Sequence, residues 1–124
     1  MSKRAAIMRI PRHPTLIRRQ LVARVKQLAA RGPVLAASLV RIGRRCGRPG
    51  CHCAQGALHV GYYLTRTVQG KTRTVYVPAE LVDEVRGWIA EHRRLKRVAR
   101  EVTELALAQI RSHVTARTRR AGRP

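Results

Sequence analysis

Polar and apolar positions alternate most regularly over Tyr62–Val77, "YYLTRTVQGKTRTVYV". With a two-residue turn at Gln69-Gly70, Val68 faces Lys71, and Tyr62–Val77, Leu64–Val75 and Arg66–Arg73 pair across one face. The other face then pairs Tyr63–Tyr76, Thr65–Thr74 and Thr67–Thr72. Like stands opposite like on both faces, and a slip of one residue would scramble every pair. The pattern predicts a β-hairpin over 62–77.

Helical periods flank the hairpin. Apolar residues at Leu16, Ile17, Leu21, Val25, Leu28 and Ala29 predict a helix over 16–30, capped by Thr15 and stopped by Gly32-Pro33. A strand is expected over about 38–45. Pro78 opens a long helix over 79–112, with Glu80, Asp83 and Glu84 where the helix dipole favours acids. Its apolar stripe runs Leu81, Val85, Trp88, His92, Leu95, Ala99, Val102, Ala106, widened by Val82, Ile89 and Ile110. Steps of four and three sustained this long predict coiled-coil packing, on helix 16–30 of the same chain or on helix 79–112 of a second chain in a homodimer. His92 on that seam reads as a packed side chain. Residues 1–14 read as a basic flexible arm, 15–112 as a single domain, and 113–124 as a basic disordered tail.

Charge changes the picture. Of 27 Lys+Arg and 6 Asp+Glu, giving +21, no acid precedes Glu80. Self-repulsion of this size costs the compact state, and a polyanion relieves it, with nucleic acid (DNA or RNA) the first candidate. Arg9 and Pro11 interrupt the N-terminus before an apolar signal core forms, and the apolar run Pro33–Val40 is too short to span a bilayer. A cytoplasmic protein without membrane contact is expected.

All three cysteines lie within "RRCGRPGCHCAQGALH", residues 44–59, as Cys46-x4-Cys51-x-Cys53-x5-His59. Three thiolates and an imidazole suit tetrahedral zinc in a closed structural site. Gly47, Pro49, Gly50 and Gly56 permit tight turns, and Arg44, Arg45 and Arg48 favour the thiolate form. His52 competes for the fourth position, but in an extended Cys-x-Cys it would point away from its neighbours. A redox-active cysteine cluster and plain packing are the competing readings. The fold expected is α+β: a zinc loop over 46–59 staples a small antiparallel sheet flanked by an N-terminal helix and a long coiled-coil-like C-terminal helix.

These motifs also carry a resemblance. "RCGRPGCHCAQGALH", "YYL", "GKTRTVYVP" and "LVDEVRGWIAEHRRLKRV", over about residues 38–105, resemble an uncharacterised prokaryotic family of small proteins known only as a domain of unknown function. The family pattern has His-Gly-Pro-Tyr before the strand, where this chain has His59-Val60-Gly61-Tyr62. The resemblance implies no activity; it implies an association with mobile-element genes, hence with transposons.

No acid lies within twenty residues of the cysteines, no glycine-rich phosphate loop is present, and no carboxylate cluster for a two-metal nuclease stands out. The chain therefore reads as non-enzymatic. Two functions remain: a zinc-stabilised nucleic-acid-binding accessory protein, or a protein-interaction module docking a partner through its long helix. For the first, Arg44, Arg45, Arg48, Arg66, Lys71 and Arg73 are the expected contacts. Arg66 and Arg73 would clamp phosphate. Tyr63 and Tyr76 would either stack on bases or pack under the helices.

Overall fold

The computed structural model describes residues 8–45, 48, 50, 56 and 58–122. Pro14 opens α1 (Pro14–Lys26), where its fixed φ suits the first helical position and its missing N–H costs nothing. The cap is His13, whose Nδ1 accepts a hydrogen bond from the Thr15 amide at 3.2 Å. Thr15, expected as the cap, already lies inside the helix because Pro14 starts it one residue earlier. The helix also ends before residue 30. The Arg94 guanidinium donates to the carbonyls of Gln27 and Ala29, both at 2.9 Å, so a side chain satisfies groups that another helical turn would have used.

Strands β1 (Ser38–Arg44), β2 (His59–Val68) and β3 (Lys71–Val77) form an antiparallel sheet in the order β1-β2-β3. The β2–β3 register runs from Tyr62↔Val77 to Val68↔Lys71, the pairing that the side-chain pattern predicts. Gln69 (φ 50°) and Gly70 (φ 79°) both adopt positive φ, as a type I′ hairpin turn requires. β1 pairs with β2 from Ser38↔Thr65 to Arg44↔His59, so β2 has a partner on each side and begins at His59, ahead of the predicted hairpin.

Pro78 leads through a 3-10 turn (Ala79–Leu81) into α2 (Val82–Ala121). Asp83 and Glu84 occupy its first turn and Arg119 and Arg120 its last, as the helix dipole favours. The tail expected to be disordered from residue 113 instead continues α2 to Ala121. Nothing between His113 and Ala121 breaks a helix, and its arginines sit at the end where cations stabilise. The Gly122 amide, donating to the Thr118 carbonyl at 3.0 Å, closes the last turn.

Residues 15–112 read from the sequence as one domain, but the chain divides into two compact units, with α2 contributing to both. The unit Ala30–Arg93 holds the sheet. Its core is Val77, Val82, Val85 and Ile89, against which Leu35, Leu39, Tyr62, Leu64 and Trp88 pack. The Leu35 amide donates to the Trp88 carbonyl at 3.1 Å, and the Arg31 amide donates to the Glu91 carboxylate. The other unit joins α1 to the chain from Arg94 onward; Ile17, Val98 and Leu105 are buried there, and Arg24 meets Glu101 at 3.0 Å.

The buried line on α2 follows the predicted seam at Val82, Val85 and Ile89 and is rotated from it farther along. Val82, Val85, Ile89, Val98 and Leu105 are buried, whereas Leu81 and Ala99 are exposed, Leu95 and Ala106 are half-buried, and Ile110 is 60% exposed. Burial gain scales with apolar area, so Val98 and Leu105 take the inner positions that a strict heptad assigns to alanines. Two separate cores also relieve the helix of keeping one seam along its length.

Candidate nucleic-acid interface

The alternation of β-strands gives the sheet two unlike faces. One turns Leu39, Tyr62, Leu64 and Val77 onto the core of its unit. Farther along the hairpin the same face carries Arg66, Arg73 and Lys71, all exposed, beyond the reach of the core: Val75 is already exposed. Arg66 and Arg73 are ladder partners, as the sequence pattern predicts. Two arginines thus occupy opposing ladder positions with no acidic residue on any of the three strands.

The opposite face carries Val40, Ile42 and Arg44 on β1, His59, Gly61, Tyr63, Thr65 and Thr67 on β2, and Thr72, Thr74 and Tyr76 on β3. Here the sequence left the tyrosines between two roles, and the register decides which side they take: the leucine–valine face meets α2, so the tyrosines do not pack under it. The Tyr63 and Tyr76 rings meet edge to face with centroids 5.5 Å apart. The Arg44 guanidinium lies 4.7 Å from the Tyr63 centroid, within cation–π range. Gly61 gives the ring room to lie there, because a Cβ would stand 3.1 Å from the Tyr63 ring and push it aside by a few tenths of an ångström. The ring lies back over the glycine toward Arg44, and Tyr76 keeps 59% of its surface exposed.

The six basic residues expected to contact nucleic acid therefore do not form one patch. Arg44 is on the tyrosine face near the start of β2; Arg66, Lys71 and Arg73 are on the other face near the hairpin tip. His59 to Arg66 spans seven strand steps, roughly 23 Å at ~3.3 Å per residue. Arg45 and Arg48 are exposed between β1 and β2.

Sequence reasoning missed a third basic feature. Arg41, Arg86 and Arg93 surround a cleft of about 490 Å³ floored by Leu39, Ile89 and Ala90, with Tyr62 at its side. The Arg86 guanidinium lies 5.7 Å from the Tyr62 centroid, and Asp83, 3.7 Å from it, is almost fully exposed. The signal was present in α2: Arg86, Ala90 and Arg93 follow at i, i+4 and i+7, which places them on one helix face.

Of the proposed metal ligands, His59 is exposed at the first position of β2, opposite Arg44. Cys46, Cys51 and Cys53, and the competing His52, lie outside the described residues. Among the described residues no three His, Cys, Asp or Glu side chains gather into a metal-holding group. The register does fix the ends of this segment. It leaves β1 at Arg44 and returns at His59, which are ladder partners.

A domain of unknown function, DUF6788, matches residues 17–87. The chain belongs to the DUF6788 family. Comparison with curated proteins and with solved structures gives no match. The DUF6788 region begins in α1, contains the whole sheet and the cysteine segment, and ends at Gly87 in α2. Every residue expected to contact metal or nucleic acid falls within it, while the greater part of α2 lies beyond. No helix among the described residues is long and apolar enough to cross a membrane.

Proposed function

We propose that this member of the DUF6788 family is a cytoplasmic, non-enzymatic accessory protein that binds nucleic acid and is stapled by a structural zinc. The observation that carries the reading is the charge of the sheet. Its strand residues Arg41, Arg44, Arg66, Lys71 and Arg73 are all basic and exposed, and no strand supplies an acid. An incidental surface mixes signs. A sheet of one sign held against its own repulsion is what a phosphate backbone rewards, through counterion release. Zinc on Cys46, Cys51, Cys53 and His59 would tie the β1–β2 connection where its two ends meet. Association with mobile elements, which the sequence resemblance implies, belongs to the same proposal.

The test is a salt-dependent binding titration on mixed-sequence DNA and RNA. Tight binding at low salt with a steep negative slope of log K against log salt supports the reading; absence of binding to both at low salt ends it. A second reading has its own observation. Leu107, Ile110 and Val114, at i, i+3 and i+7 of α2, are 39%, 60% and 54% exposed, an apolar stripe suited to docking a partner helix or a second copy of the chain. Light scattering that shows a monomer, together with tight nucleic-acid binding, favours the first reading over this one.

A further inference from the structure

The open face of the sheet has a composition that neither a solvated surface nor a simple phosphate clamp explains. Its centre is aromatic, with Tyr63 and Tyr76 in edge contact across β2 and β3. A cation at one side is already engaged with the aromatic pair, and the row toward the hairpin tip is uncharged threonine. Val40 and Ile42 stand half-buried on the same face. We propose that this face binds single-stranded nucleic acid, with unpaired bases stacking on Tyr76 and against Tyr63 while Arg44 pairs with the phosphate backbone. This rests on the nucleic-acid reading above and names the form of nucleic acid and the side chains that recognise it.

Three observations choose this occupant. First, a tyrosine platform offers a ring surface, and only unpaired bases have a free face to give it; a duplex has its bases stacked on one another and presents phosphate outward. Second, charge excludes the obvious competitor. A second copy docked through the same face would set the basic residues of both chains, Arg44 among them, against one another, and no acid on the strands would neutralise them. A polyanion meets no such penalty. Third, the platform is set in place before binding. Gly61 lets the Tyr63 ring lie back against the strand, and the Arg44 guanidinium holds it 4.7 Å from its centroid. Little side-chain order is then left to be imposed on binding. Arg66, Arg73 and Lys71, on the other face, take no part in stacking, so the two basic features are separable by mutation.

The experiment uses the full chain and fluorescence anisotropy with four 20-mers: mixed-sequence single-stranded DNA, the same sequence as RNA, its DNA duplex, and an abasic single strand of equal charge. Single strands of one or both sugars are expected to bind tighter than duplex and at least ten-fold tighter than the abasic strand. Tyr76→Thr, which keeps a strand-favouring residue matched to its threonine neighbours, is expected to weaken single-strand binding by about five- to 150-fold, the range measured for loss of one aromatic–base stack. It leaves the abasic strand unaffected, and Tyr76→Phe keeps the affinity. Arg44→Gln is expected to reduce the magnitude of the single-strand salt slope by about 0.7. Wild-type protein that binds the abasic strand as tightly as the base-bearing one, or binds duplex best, overturns the stacking proposal while leaving nucleic-acid binding intact. Failure to bind any of the four at low salt overturns both.

Discussion

Leu105 and Ile110 make a matched pair for testing which side of α2 is buried. Both sit in the second half of the helix, and either one changed to alanine loses the same number of carbons. The predicted heptad seam ran through Ala106 and was widened by Ile110, whereas the folded chain buries Leu105 completely and leaves Ile110 60% exposed. Leu105→Ala removes fully buried apolar surface and leaves a cavity, a loss of about 2–5 kcal/mol. Ile110→Ala removes surface that water already covers, and exposed substitutions of this kind fall within about 0.5 kcal/mol. At a urea dependence of ~1.5 kcal/mol/M, a loss of ~3 kcal/mol lowers the midpoint by about 2 M, against about 0.3 M or less for Ile110→Ala. The assay is urea unfolding followed by far-ultraviolet circular dichroism, which reports the helices. Trp88 fluorescence, recorded on the same samples, reports the sheet-containing unit. If Ile110→Ala costs as much as Leu105→Ala, the rotated burial line is wrong and the heptad is right.

Purified protein is expected to hold about one zinc per chain by metal analysis, with Cys51→Ser lowering both zinc content and thermal stability; freely titratable thiols in folded, zinc-free protein refute the staple. Changing Arg66 and Arg73 together to Gln removes a like-charged ladder pair, so the hairpin should be as stable or more so. Its salt slope on duplex should fall in magnitude by about two, and an unchanged slope refutes the phosphate clamp. Gln69→Asn places the non-glycine residue that best tolerates positive φ at the turn, and a thermal melt should show stabilisation of about 0.5 kcal/mol; destabilisation would contradict the turn geometry.

How legible each part was follows from how local its cause is. The hairpin could be read to the residue because strand pairing is a two-body pattern: the turn sets the register, and each side chain meets a neighbour whose identity the sequence already shows. The α1 cap could not, since it depended on Pro14 fixing the first turn and on His13 lending a ring nitrogen, and the early end depended on Arg94, far along the chain. Past Ile89 the burial line on α2 departs from the seam for a different reason. Periodicity locates an apolar stripe, but Ala99, Ala106 and Ile110 score as apolar whether or not anything covers them. Only the partition into two cores selects Val98 and Leu105 instead. The candidate interface was half legible. Its residue types were plain, but the face that each one occupies is set by which side of the sheet meets α2.

That last point changes how the basic charge is understood. Of the six acids, three meet basic residues or amides: Glu101 meets Arg24 and Arg97, Asp83 meets Arg86, and Glu91 takes the Arg31 amide. None of this reaches the strands. At the hairpin tip Arg66 and Arg73 are ladder partners, and like charges directly opposite destabilise a strand pair by up to about 1 kcal/mol. The cost is small enough for a type I′ turn and a well-matched register to bear, yet large enough that a bound phosphate between the two would return it as affinity. The tyrosine face works by another means. On the proposal above it offers one cation beside an aromatic pair, against two opposed arginines at the tip, so its contribution depends less on salt and more on what stacks beside it. On that proposal, one sheet would present two anion-facing surfaces of different salt sensitivity. Binding measured across ionic strength should show a steep component that Arg66 and Arg73 carry and a shallower one that Tyr76 carries.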